Sequence, residues 1–188
     1  MKAKTLAIST IVLIVLIVAG ATMAWFTTGS PTIANKFNMG SVEVEVVEED
    51  FPDGGYSEVT TGVTYTKNVQ VQSIGTKKTY VRVRLVPEWS DPSLPVSNAI
   101  LNLADNEDWI LHTDGYYYFK YYLTTNQLTS KLLEKVTFTE LGSEYNGKIF
   151  TLKVVAEGVQ ITHEAWKVVW GLNELPFTPN VLWQGEQP

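Results

Sequence analysis

Three segments of this chain alternate apolar and polar residues with a period of two, and no other feature constrains the fold as tightly. Ser41-Val-Glu-Val-Glu-Val46 puts Val42, Val44 and Val46 on one side and Glu43 and Glu45 on the other. Asn68-Val-Gln-Val-Gln72 repeats the pattern. Thr79-Tyr-Val-Arg-Val-Arg-Leu85 sets Val81, Val83 and Leu85 against Tyr80, Arg82 and Arg84. Successive side chains of a strand leave opposite faces, so these are half-buried strands, whereas a helix would scatter the valines around its circumference. The second and third segments, joined by Ser73-Ile-Gly-Thr-Lys-Lys78, are expected to lie side by side. Arg82 and Arg84 are expected to pair across a sheet with the Glu43/Glu45 row.

Further strands follow from β-branched and aromatic content in Trp109-Ile-Leu111, Tyr116 to Leu123, Val136-Thr-Phe138 and Lys148 to Ala156. Glu48-Glu-Asp-Phe-Pro-Asp-Gly-Gly55 is an acidic loop closed by turn residues. Pro87, Pro92 and Pro95 interrupt the pattern. After them Val96, Ile100 and Leu103 stand at helical spacing, which predicts a short helix ending at Asp105-Asn-Glu-Asp108. Glu164 to Trp170 predicts a helical turn or two before Gly171. With 45% apolar residues and 6 Trp, 9 Tyr and 7 Phe, the chain has the material for a core. Eight or so short strands and one or two short helices predict an all-β sandwich of jelly-roll or Greek-key type over residues 41–188, with no second domain or internal repeat.

The first 40 residues read differently. Lys2 and Lys4 precede an apolar run, Ile11 to Gly20, and no residue from Thr5 to Asn35 is charged. A basic start, a short apolar stretch and then small residues form a secretory signal, with the cut expected after Ala24 in Ala-Thr-Met-Ala24. Two alternatives stay open. The stretch Thr5 to Phe26 is near the roughly 20 residues that span a bilayer, which suits a retained anchor. A pilin-like leader cut near Lys4 is the other, although the first acidic residue is as late as Glu43. Residues 25–40 then form a polar, extended arm with spaced apolar side chains.

Composition removes several functions. Without cysteine there is no disulfide framework, thiolate metal site or cysteine nucleophile. Lys+Arg 14 against Asp+Glu 20, with no basic run longer than Lys77-Lys78, argues against nucleic acid as a partner. Of the two histidines, His163 opens a His-Glu-x-x sequence, but Lys167 stands where the second zinc ligand of such a motif belongs. No Gly-x-Ser-x-Gly or phosphate-cradling loop is present, so no catalytic residue and no cofactor are expected. Asp105, Glu107 and Asp108 are clustered carboxylates of the kind calcium takes, though their spacing fits no EF-hand. In Tyr116 to Tyr122, alternation predicts Tyr117, Phe119 and Tyr121 as core and Tyr116, Tyr118 and Tyr122 as a surface stripe for contact with a glycan or a protein.

Several segments together carry a resemblance. These are the leader ending Ala-Gly-Ala-Thr-Met-Ala24 with Trp25-Phe26 at once after it, Asn35-Lys-Phe-Asn-Met-Gly-Ser-Val-Glu-Val44, and the block from Lys67 through Gly75 to Leu85. Asp108-Trp, Asp114-Gly-Tyr-Tyr-Tyr-Phe-Lys-Tyr121, and Val155 to Gln160 followed by Glu164-Ala-Trp166 complete the set. In this order and spacing the chain resembles the TasA/camelysin family of exported fibre proteins, which is related to archaeal bundling pilins. The resemblance implies a jelly-roll sandwich, export with removal of the leader by a signal peptidase, and assembly of the chain with itself into extracellular fibres of a biofilm matrix or cell surface. An accessory or anchoring fibre protein is a further partner it implies. Some camelysins are classed as metalloproteases, but no ligand set here matches that activity.

The related pili grow by donor-strand exchange, in which the arm after the cleavage site completes the sheet of the next subunit. The arm is suited to it: Trp25, Phe26, Ile33 and Phe37 are apolar anchors, and Ile33, Asn35, Phe37 and Met39 share one face at period two. An added strand satisfies the open main-chain groups of a sheet edge while alternate side chains fill pockets. Donor and acceptor surfaces then differ, so contacts run head to tail. The rival readings are a monomeric surface adhesin using the tyrosine stripe, a fibre-assembly accessory protein, and a camelysin-type metalloprotease.

Overall fold

A computed structural model describes residues 41–52, 55–56 and 59–185. The signal segment 1–24 and the arm 25–40 lie outside the described residues. Two four-stranded sheets, antiparallel at every named pairing, face one another. In the first, the order is β1 (Val44–Val47), β2 (Thr64–Ser73), β7 (Leu133–Phe138) and β4 (Ala99–Leu103). In the second it is β5 (Trp109–Leu111), β6 (Tyr117–Phe119), β3 (Thr79–Trp89) and β8 (Phe150–Gln160). One short α-helix, α1 (Ala165–Val169), and three 3-10 turns are the helical content among the described residues. The chain is thus an all-β sandwich.

Alternation builds the core. Val69 and Val71 of β2 and Val81 and Val83 of β3 are fully buried between the sheets, with Leu133, Phe138 and Phe119. Valine suits this place because its branched Cβ packs well on a pleated surface. At the end marked by Trp89, an aromatic cluster of Trp89, Phe138, Tyr145 and Phe150 fills the space, with ring centroids 4.9–5.8 Å apart.

Three expectations are corrected. β2 and β3 are not neighbours: they belong to different sheets, and Ile74 to Lys78 crosses between layers. A strand with one apolar face buries it equally well by stacking on another sheet, so alternation identifies the strand and leaves its partner open. For the same reason the Glu43/Glu45 row does not pair across a sheet with Arg82 and Arg84: among the described strands β1 pairs with β2, and β3 lies in the other sheet.

The helix expected over Val96 to Leu103 is a 3-10 turn at Val96–Asn98 followed by β4. Buried Asn98 explains the break. Its side-chain oxygen accepts from Trp89 Nε1 at 3.3 Å and its carbonyl accepts from the Thr139 N–H at 2.8 Å, which ties the turn to both sheets. Asp105, Glu107 and Asp108 consequently lie in the connection from β4 to β5 and not at a helix end.

Pro87 does not end β3, which runs on to Trp89. Ser90 N–H donates to the Ile149 carbonyl and Ile161 N–H to the Lys78 carbonyl, so even-numbered residues of β3 bond β8. Pro87, being odd, directs its missing donor toward the β6 side, where β6 reaches only Arg82 and Val83. The helical turn expected near Ala165 is present.

β1 leans on the Gln160 end of β8 through Gly158. A Cβ there would stand 2.8 Å from Val44 Cγ1, 3.0 Å from Thr79 Cγ2 and 3.1 Å from Val42 Cγ1. Gly158→Val is expected to destabilise the fold by about 1–3 kcal/mol through overpacking, measured as a lower urea midpoint.

Candidate functional site

β8 is an eleven-residue strand that, among the described residues, has a ladder on one side only. Its odd-numbered residues exchange main-chain bonds with β3, so Phe150, Leu152, Val154 and Ala156 direct N–H and C=O to the other side. Toward Gly158 that side is shielded by β1. Toward Phe150 it borders a cavity of about 470 Å3.

Two facts about β1 and β2 make the cavity. β1 stops at Val47 opposite Gln70, while β2 starts back at Thr64. Among the described residues the first half of β2 therefore has no strand between it and the lateral opening of the sandwich. Phe150 and Leu152 of β8, Tyr65 of β2 and Val136 and Phe138 of β7 line the gap, and Phe51, Tyr56 and Val59 wall it from the β1–β2 connection. The lining is mostly apolar and aromatic, and Ile149 at its rim is 68% exposed. Edge donors that no described residue engages, beside apolar pockets, are what strand addition requires.

On the outer face of the second sheet lies a different cluster. Arg82, 8% exposed, gives Nε and Nη2 to Glu157 Oε2 at 2.9 and 2.8 Å and Nη1 to Tyr118 Oη at 2.9 Å. Tyr118 Oη donates to Asp114 Oδ2 at 2.6 Å and Tyr116 Oη to Glu157 Oε1 at 2.8 Å. The Tyr116 ring stacks between the guanidinium groups of Arg82 and Arg84, 4.0 and 4.2 Å from its centroid.

Burial works against the Arg82 charge, but the bonds with Tyr118 and Glu157 outweigh it and raise its pKa. Burial together with the Asp114 bond pushes Tyr118 up to about 12. At Asp114 burial is the largest influence and acts upward, yet the bonds from Tyr118 and the Tyr116 N–H, with His112 Nδ1 3.3 Å away, hold the carboxyl below the usual 3.8. Both carboxylates of this network are engaged by donors, while Arg84 Nε and His112 Nδ1 are buried with no hydrogen-bond partner among the described residues.

A pH dependence follows. A carboxyl depressed by folding contributes stability that is complete above its unfolded value and is lost as pH falls through the folded one. Asp91, held at about 2 by Ser93 and Lys148, acts in the same direction as Asp114. The urea midpoint is expected to be flat above about pH 5 and to decline below about pH 4, and Asp114→Asn is expected to flatten part of that decline.

The same cluster overturns the tyrosine stripe. Tyr118 is fully buried and Tyr122 is 9% exposed, while Tyr116 is half-buried. The face opposite the core is roofed by Trp166 and Trp170 at α1 and by Leu175, Phe177 and Leu182 of the C-terminal segment. That segment is tied down where Tyr122 N–H donates to the Val181 carbonyl and Trp183 N–H to the Tyr122 carbonyl, at 2.9 and 3.1 Å. Tyr117 and Tyr121 pack with Phe119 toward the core, as alternation predicts.

The donor-arm residues Trp25, Phe26, Ile33, Phe37 and Met39 lie outside the described residues. Among the described residues no three His, Asp or Glu side chains are grouped so as to hold a metal ion. Glu164 of the His-Glu-x-x-Lys stretch is held by Lys167 Nζ at 2.7 Å. The sequence reading identified 148–156 as strand but missed the cavity residues Phe51, Tyr56, Tyr65, Phe138 and Phe150. Alternation of Phe150, Leu152 and Val154 with Thr151 and Lys153 was the available signal, and it does not distinguish an edge strand from a central one. Comparison of the chain with protein-family models, with curated proteins and with solved structures gives no match.

Proposed function

We propose that the protein is the structural, non-enzymatic subunit of an extracellular fibre, of the TasA/camelysin kind, and that it polymerises head to tail by donating residues 25–40 to the next copy. The observation that carries this reading is the side of β8 that no described strand covers, beside the apolar cavity. A jelly roll seats its first strand beside its last, and on this reading the arm of a neighbouring copy takes that seat. Ile33 and Phe37, on one face of the arm, enter the cavity.

Head-to-tail geometry is supported by where the two ends lie. Ser41, where the arm joins the fold, is bonded to Thr76 beyond one end of β2, and the cavity adjoins Thr66 and Lys67. That separation is about 30 Å at strand spacing, and donor and acceptor surfaces at opposite ends produce an open filament when rotation does not close a ring. Sixteen arm residues reach roughly 50 Å, enough to bridge to a second copy. The leader, removed by a signal peptidase after Ala24, keeps the arm at the membrane until export is complete. The adhesin reading loses its surface, because Tyr118 and Tyr122 are buried.

Electron microscopy of the chain beginning at Trp25, beside a form lacking Trp25 to Phe37, tests the proposal. Uniform filaments from the first and soluble β-rich monomers from the second are expected. Filaments from both would remove the arm from the mechanism, and monomers from both would remove polymerisation.

A further inference from the structure

The connection between β1 and β2 holds the first half of β2 by side chains where a strand would hold it by a ladder. Ile74 N–H donates to the Glu43 carbonyl, which sets the even residues of β2 toward β1. At the other end Phe138 N–H donates to the Val63 carbonyl, so Thr64 and Thr66 direct their main-chain groups away from β7. The Thr66 carbonyl therefore faces the side on which β1 has ended, and Tyr56 Oη donates to it at 3.2 Å. Thr60 N–H donates to Tyr65 Oη at 2.8 Å and Asn68 Nδ2 to Asp50 Oδ2 at 3.2 Å. Lys67, only 7% exposed, pairs with Glu48 at 2.5 Å and stands 3.6 Å over the Phe51 ring.

Asp50, at φ 59°, turns the chain out of the line of β1, which prevents the ladder from continuing. Phe51, Tyr56 and Tyr65 then stack edge to face at 5.6 and 4.8 Å, and the Tyr56 hydroxyl occupies the Thr66 carbonyl that a continued strand would bond.

We infer that this connection is an edge guard: Phe51 and Tyr56 shield the first half of β2 from strand addition, so that a strand arriving at the cavity pairs with β8. An uncovered edge is a template for uncontrolled pairing, and folds blunt such edges with a loop or with charge. Here the cover combines the aromatic pair with Glu48 and Asp50. Its assembly consequence rests on the reading of β8 as acceptor; the shielding itself does not.

The test uses the exported chain with Phe51→Ala and Tyr56→Ala together, and separately with Tyr56→Phe. In the double variant, amide hydrogen exchange over Thr64 to Asn68 is expected to quicken at least about tenfold while the β3–β8 ladder keeps its protection, which shows that the fold is intact. Tyr56→Phe, which loses only the bond to Thr66, is expected to give a smaller rise. Unchanged exchange over Thr64 to Asn68 in the double variant overturns the guard, whether or not the arm donates.

Sedimentation then separates the two readings, with Ile33→Asp and Phe37→Asp added to disable the arm. The chain with Phe51 and Tyr56 intact is expected to stay monomeric and the double variant to associate as concentration rises. A double variant that stays monomeric overturns the guard and leaves β8 as acceptor. If the guarded, arm-disabled chain still polymerises, the arm reading fails and faster exchange at β2 continues to support the guard.

Discussion

Arg82→Ala is expected to lower the unfolding free energy by about 3–5 kcal/mol, the largest stability effect of any single surface-to-core contact described above. Arg82 is 8% exposed and its guanidinium supplies four hydrogen bonds, two to Glu157, one to Tyr118 and a longer one of 3.4 Å to Asp114. Its removal leaves the Glu157 carboxylate, 19% exposed, facing an apolar roof without its counter-charge, and removes the cation from the face of Tyr116. Breaking a buried pair from one side costs more than the pair contributes, because the surviving charge keeps its desolvation penalty. For a domain of this size the loss corresponds to a fall of roughly 10 °C in Tm. Arg82→Lys is expected to fall between, since an ammonium keeps the charge and loses the planar two-pronged fit to Glu157. A loss below about 1 kcal/mol for Arg82→Ala, by urea unfolding, would mean that water reaches the network and that it carries no weight in the fold.

On the proposed donor-strand mechanism, Val154→Pro is expected to abolish filament growth while leaving the subunit folded. Val154 is even-numbered, so its N–H points to the open side of β8 and takes no part in the ladder with β3. Proline is tolerated on an edge strand where the missing donor faces outward, and Lys153 before it is already extended as proline requires. A ring on the outer side both removes a donor and obstructs an arriving backbone, so strand addition is blocked at main-chain level whatever the side chains of the arm. The cost to the monomer is expected to stay near 1–2 kcal/mol, from lost packing of the valine branch between the sheets. Thr151→Pro is the control: its N–H bonds β3, and it is expected to unfold the strand. Filaments of normal yield from Val154→Pro, seen by electron microscopy, would exclude β8 as the acceptor edge.

Val42 to Val46 and Val81 to Leu85 were legible as strands with their buried faces assigned, because alternation is local information: each side chain's face is fixed by its neighbour two residues away. Pairing is not local. Nothing within Asn68 to Gln72 or Thr79 to Leu85 says whether their valines meet across a shared ladder or across the gap between sheets. The error at Val96 to Leu103 has the same origin. Three apolar residues at helical spacing competed with a buried Asn98 whose partners, Trp89 and Thr139, are distant in sequence.

Tyr118 and Tyr122 show the limit most plainly. Their alternation was read correctly as a face opposite the core, but solvent exposure was inferred from it. A sheet with only one covered face would leave them in water; here α1 and the C-terminal segment cover the second.

By itself, then, the amino-acid order determined that this is a β protein with its valine faces turned inward, without cysteine chemistry and with an uncharged stretch from Thr5 to Asn35 behind Lys2 and Lys4. Backbone periodicity and composition act residue by residue, and they are readable without a fold. Only the tertiary structure decided which strands became edges, that β1 stops short of the cavity, and that Arg82 is roofed by tryptophan. Each of those depends on segments far apart in the chain arriving at one place, and the free energy that selects them belongs to the packed whole.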